Sequence, residues 1–329
     1  MVFIILGVLI VLIVVQTVCV RRDRHRFPPP GTLVDGLHVL QLGAGFPSVV
    51  FESGIANSSL NWSLIQSQVA RFATTYSYDR AGFGWSDGSD VPCSLDKITT
   101  DLRAMLEHQQ VPRPFILVGH SFGGLIVRFY AHQFPEEVSG LVLVDPAMPE
   151  EWMNPTRQQR FRLRRAIFFT GAAGVLASLG AVRLGLWLLM RRKQDTPGPI
   201  SRFSSTLRRI RFELKKIPAE ILLQICAHWS RPGFYWTMSA YLKVLPSAAA
   251  EAARGLFPAR LPVMVLSGAH QPPERLVEHA AIATTHIIAK GSGHFIHLDE
   301  PELVVDAVRE VLQQVNSSRR AIPSNDPMD

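Results

Sequence analysis

Cysteine is scarce in this chain of 329 residues, which carries only Cys19, Cys93 and Cys226. Three such residues make neither a disulfide framework nor a C-x-x-C metal spacing, which agrees with a reducing compartment. A phosphate-cradling glycine loop is missing, as is any cluster of zinc ligands, so no metal or organic cofactor is implied. No internal repeat is present. Charged residues make up only 19% against 47% hydrophobic, which excludes global disorder.

What is present begins with grease. From Val2 to Val15 every residue is apolar or glycine, and the run relaxes only through Gln16, Thr17 and Cys19. About 20 residues at ~1.5 Å rise cover the hydrocarbon core of a bilayer. A cleaved signal peptide wants a basic start and a small-residue cleavage site. Met1-Val2-Phe3 has no basic side chain, and Val18-Cys19-Val20 is no A-x-A pattern. Residues 1–20 therefore read as a transmembrane anchor. The charges follow it, in Arg21, Arg22, Arg24 and Arg26, so the positive-inside rule leaves the N-terminus outside and puts the rest of the chain on the cytoplasmic side.

The net charge of +7 is uneven, with 15 Lys and Arg against 3 Asp and Glu between Glu151 and Lys216. A basic block can mark a nucleic-acid binder. Here it surrounds an apolar run, Ala166 to Met190, broken only by Arg183. That arrangement suits an anionic membrane surface better than a DNA groove, and no nucleic-acid motif accompanies it. The run fits membrane contact and burial within two helices equally well. Gly171, Gly174, Gly180 and Gly185 break it into short pieces, which disfavours a second full span.

After a basic, proline-rich linker over residues 21–30, short buried runs alternate with helical stretches. Ser48–Glu52, Phe72–Tyr78, Phe115–Gly119, Leu141–Asp145, Val263–Ser267 and Thr285–Ala289 are apolar, β-branched and continuous, as strands buried on both faces are. Ile98–Gln109, Gly123–Phe134 and Pro301–Val315 have helical periodicity. The alternation predicts an α/β chain with a doubly wound, mostly parallel sheet. It stops near Pro146 and resumes near Leu261. The expected organisation is a core in two parts, 31–146 and 261–316, with a helical cap inserted over 147–260 and a disordered tail over 317–329.

Gly119-His120-Ser121-Phe122-Gly123 follows the buried strand FILVG and opens the helical run GLIVRFYAHQF. A G-x-S-x-G sequence between strand and helix is the setting of a nucleophile elbow. The serine there sits on a sharp turn of strained backbone, and flanking glycines let neighbouring chain approach closely. With Val49–Trp62 (VVFESGIANSSLNW), Tyr78–Asp87 (YDRAGFGWSD), Leu117–Gly124 (LVGHSFGG) and Gly291–Pro301 (GSGHFIHLDEP), in that order, the chain resembles the α/β-hydrolase family from about Gly31 to Val315, apart from the insertion.

The resemblance implies a catalytic base, His294, in the loop after the last strand, taking the Ser121 proton and returning one to the leaving group. His297 stands nearby as a packing or hydrogen-bonding residue. His38, His108, His132 and His228 are isolated and read as structural or solvated. The resemblance also implies an oxyanion hole of two backbone N–H groups. One belongs to Phe122, the other to Ile55, where Glu52-Ser53-Gly54-Ile55 replaces the family's frequent His-Gly. The family most often places the triad acid after the strand that follows the cap, but Gly268-Ala269-His270-Gln271 holds no acid. Glu274 lies close by in sequence, behind two prolines. Asp145 in LVLVDPA occupies the alternative place, while Asp79 reads as a turn residue.

A serine nucleophile points to acyl transfer through an acyl-enzyme. Family members that open epoxides or displace halides carry aspartate at the elbow. The anchor and the greasy, basic cap favour small-molecule or lipid esters with apolar acyl groups. The competing expectation is a membrane-tethered binding or scaffold protein with a degenerate site, supported only by the missing acid after VMVLSGAHQ.

Overall fold

In the computed structural model, which describes residues 1–88, 93–191, 215–255 and 261–320, the chain builds one eight-stranded sheet of order β1-β2-β4-β3-β5-β6-β7-β8. Its strands are β1 (Thr32–Val34), β2 (Leu37–Leu42), β3 (Val49–Glu52), β4 (Thr75–Tyr78), β5 (Phe115–His120), β6 (Val138–Val144), β7 (Val263–Gly268) and β8 (Thr285–Ala289). From β4 to β8 all neighbours are parallel, whereas β1, β2 and β4 pair antiparallel.

The apolar runs are continuous because both faces of the sheet are covered, and the period of two divides them. Val49, Phe51, Ile116, Val118, Val142, Val144, Met264 and Leu266 enter one core. Helices α2 (Ser63–Val69) and α12 (Pro301–Arg320) cover it, through Ile65 and Val69 and through Val304, Val308 and Val311. The intervening Val50, Leu117, Leu141, Leu143 and Val265 enter the other core, under α3 (Leu95–His108) and α4 (Phe122–Gln133). A doubly wound α/β sheet is what the alternation predicted.

Three local expectations are corrected. The first is the omission of β1 and β2, which are joined by Asp35-Gly36, both at positive φ (49° and 78°). Asp-Gly between β-rich flanks is the signal of a tight hairpin turn. The second concerns the linker. The helix α1 (Val2–Arg26) does not end at residue 20; Arg21 to Arg26 continue it, and only Phe27 onward is linker. Nothing in that basic stretch breaks a helix, cations suit its C-terminal end, and Pro28 bars the residue before it from helical backbone. The third is the tail: α12 runs on through residues 317–320, with Ser318 Oγ donating to Gln314 O at 3.0 Å and Arg319 and Arg320 in its last turn. Residues 321–329 lie outside the described residues.

Between β6 and β7 the described residues form helices alone: α5 (Pro149–Met153), α6 (Arg157–Ser178), α7 (Ala181–Arg191), α8 (Ala219–Trp229) and α9 (Pro232–Ala253). The rest of the expected cap, 192–214 and 256–260, lies outside the described residues. Gly171 and Gly174 do not interrupt α6, contrary to expectation; the break comes at Leu179-Gly180, where Gly180 has φ 75° and α6 and α7 diverge by 91°. Gly174 is tolerated because the ring of Trp236 packs where a Cβ would stand, 2.9 Å away. α9 sits across α4, with Phe234, Tyr241 and Leu245 packed against Phe122, Leu125 and Ile126.

Burial holds three histidines neutral, lowering the pKa values of His228, His279 and His297 to about 3, 4 and 3. The unfolded chain protonates them near ~6.5, so it binds more protons than the folded chain below that pH, and stability falls as pH falls. Each contributes a loss of about 1.4 kcal/mol for every pH unit below ~6.5. The urea midpoint is expected to drop steeply between about pH 7 and about pH 5.5, and His228→Phe to make that drop shallower. An unchanged midpoint would contradict the burial of these rings as neutral groups.

Candidate active site

Ser121 stands between β5 and α4 with φ 53° and ψ −118°, a backbone that L-residues rarely adopt. The surrounding chain holds it there. Ser121 N–H donates to Val144 O, and its carbonyl accepts from Gly124 and Ala147 N–H at 2.9 Å each. The flanking glycines answer to close approach. A Cβ on Gly119 would stand 2.7 Å from Gly123 O, one on Gly123 2.5 Å from Glu52 O, and one on Gly124 2.6 Å from the Pro146 ring. Any side chain at those positions would push β5, α4 and the end of β3 apart.

The structure brings His294 and Asp145 to this serine from two other loops. His294 Nε2 lies 3.1 Å from Ser121 Oγ, and its Nδ1 lies 2.6 Å from Asp145 Oδ2. The Asp145 side chain is fully buried, whereas that of His294 is 33% exposed, so the serine side of the pair stays open to a substrate. Burial alone pushes the Asp145 carboxyl up. Hydrogen bonds from His294, Gly268 N–H and Gln271 outweigh it and hold the pKa at about 2. Gln271 Nε2 reaches both carboxylate oxygens, at 2.7 and 2.8 Å. The segment after β7 therefore lacks an acid and instead donates to one. Glu274 is exposed at the start of α10 (Pro273–Ile282).

Two more histidines pack around His294. His120 Nε2 donates to His294 O at 3.0 Å, which ties the loop to the strand behind it. His297, 1% exposed in the short helix α11 (Ile296–Asp299), packs between Trp62 and His120 with ring centroids 5.3 and 4.4 Å away. Both His297 ring nitrogens lack a hydrogen-bond partner among the described residues, so it packs without bonding. His38 Nδ1 bonds Asp79, and His108 pairs with Asp35 at the surface. Asp79 accepts from Ser59 N–H, Trp85 N–H and His38, as a turn-holding residue does.

Ile55 follows β3 in a turn that leans on the serine: a Cβ on Gly54 would stand 3.3 Å from Ser121 Cβ and 3.0 Å from His120 Nδ1. Gly54 is needed for that approach, not for a positive φ; the left-handed residue of the turn is Ala56, at φ 64°. Neither Ile55 N–H nor Phe122 N–H donates to an acceptor among the described residues. Arg80, to which sequence reasoning assigned no role, sets the direction of the first. Its guanidinium takes Ser53 O and, at 2.6 Å, Gly54 O, while also pairing with the buried Glu52, which bonds Tyr78 in turn. In a trans peptide the carbonyl and the next N–H point oppositely. Fixing Gly54 O on Arg80 thus turns the Ile55 N–H away from Arg80. Nothing in YDRAGFGW marked this role, because the acceptors are backbone carbonyls brought close only by the fold.

Asp145, His270 and His294 place donor atoms within 4.8 Å of one another, the nearest approach to a metal-ligand set among the described residues. Two of them already bond each other. His270, with a side chain 45% exposed, stands 3.9 Å from the carboxylate as a neighbour.

Arg80→Met would leave the Glu52 carboxylate buried without its cation, for which a loss of about 3–5 kcal/mol is expected in urea denaturation. Glu52→Gln combined with Arg80→Met should recover part of it. Equal stability of wild type and Arg80→Met would show that the pair does not hold this loop.

The Alpha/beta hydrolase family model matches residues 49–307. The chain is 31% identical over 106 residues to protein YqjL of Bacillus subtilis, covering 32% of this chain and 42% of that one. Over 279 residues it is 24% identical to 3-oxoadipate enol-lactonase 2 of Acinetobacter baylyi, covering 82% and 90% of the two chains. The solved structure of epoxide hydrolase CorEH superposes with a TM-score of 0.64 at 18% identity, over 86% of this chain and 98% of that one. With the matched segment spanning β3 to β8, the elbow, the cap and both flanking loops, the chain belongs to the α/β-hydrolase family.

Proposed function

We propose that this hydrolase-family chain is a membrane-anchored serine hydrolase that cleaves carboxylic esters with apolar, lipid-like acyl groups. The observation that carries the reading is the single imidazole bridging Ser121 Oγ and a fully buried Asp145 carboxylate. Asp145, ionised down to about pH 2, accepts a hydrogen bond from Nδ1–H and leaves Nε2 as the base toward the serine. Ser121 attacks the ester carbonyl, and His294 takes its proton. The negative oxygen that develops is met by the N–H groups of Phe122 and Ile55. His294 then gives its proton to the departing alcohol, and water repeats the sequence on the acyl-enzyme. Neither this route nor its outcome needs a cofactor.

Serine at the elbow supports acyl transfer over epoxide opening, since a carboxylate nucleophile is absent from that position. The scaffold alternative rested on a missing acid, and the Asp145–His294 bond weighs against it. Preference for apolar acyl groups is supported by the roof: Ile55 and Phe122 pack with Phe234, Trp229, Tyr235 and Met238 of the cap. Support for the anchor comes from α1, the one helix among the described residues that is by itself long and apolar enough to cross a membrane, with only 6% of its apolar window buried. Its basic end leads into the hydrolase core, and the positive-inside rule supports a cytoplasmic core.

Purified protein in detergent should react with a fluorophosphonate probe, and Ser121→Ala and His294→Ala should abolish the labelling. Asp145→Asn should slow p-nitrophenyl ester turnover about 10³–10⁴-fold at unchanged folding, and kcat/KM should rise with acyl chain length. Well-folded wild type that takes no label would refute the hydrolase reading.

A further inference from the structure

The two long cap helices are amphipathic the wrong way round for water. α6 buries its small residues, Thr170, Gly174 and Ala177, against the protein. On its outer side Phe161, Phe168, Phe169 and Leu176 are 61, 70, 57 and 50% exposed, and on α7 Leu184 and Leu188 are 57 and 50% exposed. A soluble helix does the reverse, and monomers rarely leave an apolar surface of this extent in water. Small residues turned inward and large apolar ones turned outward are what helices in lipid show.

Charge and position name the occupant. From Arg157 to Arg191 the chain carries seven arginines and no acidic residue, and five of the seven fall between Arg157 and Arg165, all in the first turns of α6. The apolar surface also adjoins α1. Gln16, buried within the greasy half of that helix, donates to Ser230 O at 2.6 Å and accepts from Arg183 Nε at 3.0 Å. Arg183 reaches on to Asp23 at 2.7 Å. Gln16 precedes the first charge, Arg21, by five residues, about 7.5 Å along the axis. The α6–α7 corner is therefore clamped at a depth of the span that matches the ~5–10 Å to which interfacial helices sink.

We propose that the outer faces of α6 and α7 lie in the interfacial layer of an anionic bilayer beside α1, so that the helices over Ser121 are a membrane element. This rests on the reading of α1 as an anchor. Phe168, Phe169, Leu184 and Leu188 enter the acyl boundary, and the α6 arginines meet lipid phosphates. α6 and α7, bent by 91°, lie along the surface and do not cross it. An ester substrate then reaches the roof of the site from the bilayer, without passing through water.

The full chain with Cys93 and Cys226 replaced by Ala carries one bimane label at a time in nanodiscs of phosphatidylcholine with phosphatidylglycerol. The label sits on native Cys19 in α1 or, in a Cys19→Ala background, on Phe168→Cys, Leu184→Cys or, as a control on α12, Gln314→Cys. With doxyl-labelled lipid present, the labels at 19, 168 and 184 should be quenched several-fold more than the one at 314. Replacing Arg162, Arg164 and Arg165 by Gln should reduce quenching at 168 while leaving Cys19 unchanged. Quenching at Cys19 with none at 168 and 184 would overturn the proposal and leave the anchor standing. No quenching at any of the three would overturn both. Labels at 168 and 184 that lipid does not quench, but that disulfide-crosslink two copies as free cysteines, would assign the face to a second copy instead.

Discussion

The structure turns on how closely three pieces of backbone approach one another at Ser121. The strand entering the serine, the helix leaving it and the end of β3 meet at Gly119, Gly123 and Gly124, where any Cβ would overlap carbonyl oxygens or the Pro146 ring. That contact drives Ser121 to positive φ and pushes its hydroxyl out of the sheet. It also brings Glu52 and Ser53 beside the start of α4, so that one squeeze sets Ser121 and places the Ile55 turn next to it. The cost is backbone strain of about 1–3 kcal/mol, which persists because the flanking strands, buried on both faces, cannot give way.

Around this turn the protein uses buried charge as a positioning device. Arg80 is enclosed with Glu52, Tyr78 and two carbonyls, and Asp79 beside it accepts from Ser59, Trp85 and His38. Ion pairs of this sort add little net stability over an apolar core, but losing one partner is expensive. Their value lies in direction: adjacent residues at the end of β4 face opposite ways and fix the loops on either side. Asp145 follows the same logic. Its positive φ, 42°, and its bonds to Gly268 and Gln271 hold the carboxylate where His294 can use it.

Much of this was legible in the residues. Continuous β-branched runs announced a sheet buried on both faces, and the glycines around Ser121 announced a crowded turn. Asp145 was readable because an acid after β6 remained when the segment after β7 offered none. What that segment does instead was not readable. Nothing in Gly268-Ala269-His270-Gln271 says that an amide will take both oxygens of an aspartate 126 residues away, because the pairing depends on strand adjacency. Arg80 escaped for a similar reason: its role is to hold carbonyls, and carbonyls leave no mark in a sequence. The Asp35-Gly36 hairpin, by contrast, was marked by its dipeptide and overlooked. The glycines of α6 misled in the other direction, since helix-weakening residues were retained to let the Trp236 ring come close.

The linkage between anchor and cap has a consequence for how the site is reached. Among the described residues, α1 bonds to the cap through Gln16 and Arg183, the latter paired with Asp23. With α1 in a bilayer as proposed, a polar side chain deep in it is costly unless it finds a partner there, and Ser230 and Arg183 supply that partner to Gln16. They fix both the height and the rotation of the cap on the span. A flexible tether would confine the hydrolase to the surface but leave its orientation free. A clamped one would present α6 and α7 to the bilayer, as proposed above. On the protein side, α9 packs between α6 and the elbow helix, with Trp236 against Gly174 and Tyr241 against Phe122. On the proposed reading, α6 and α9 are the cap helices that separate the bilayer from the elbow helix, and the contacts between them are apolar.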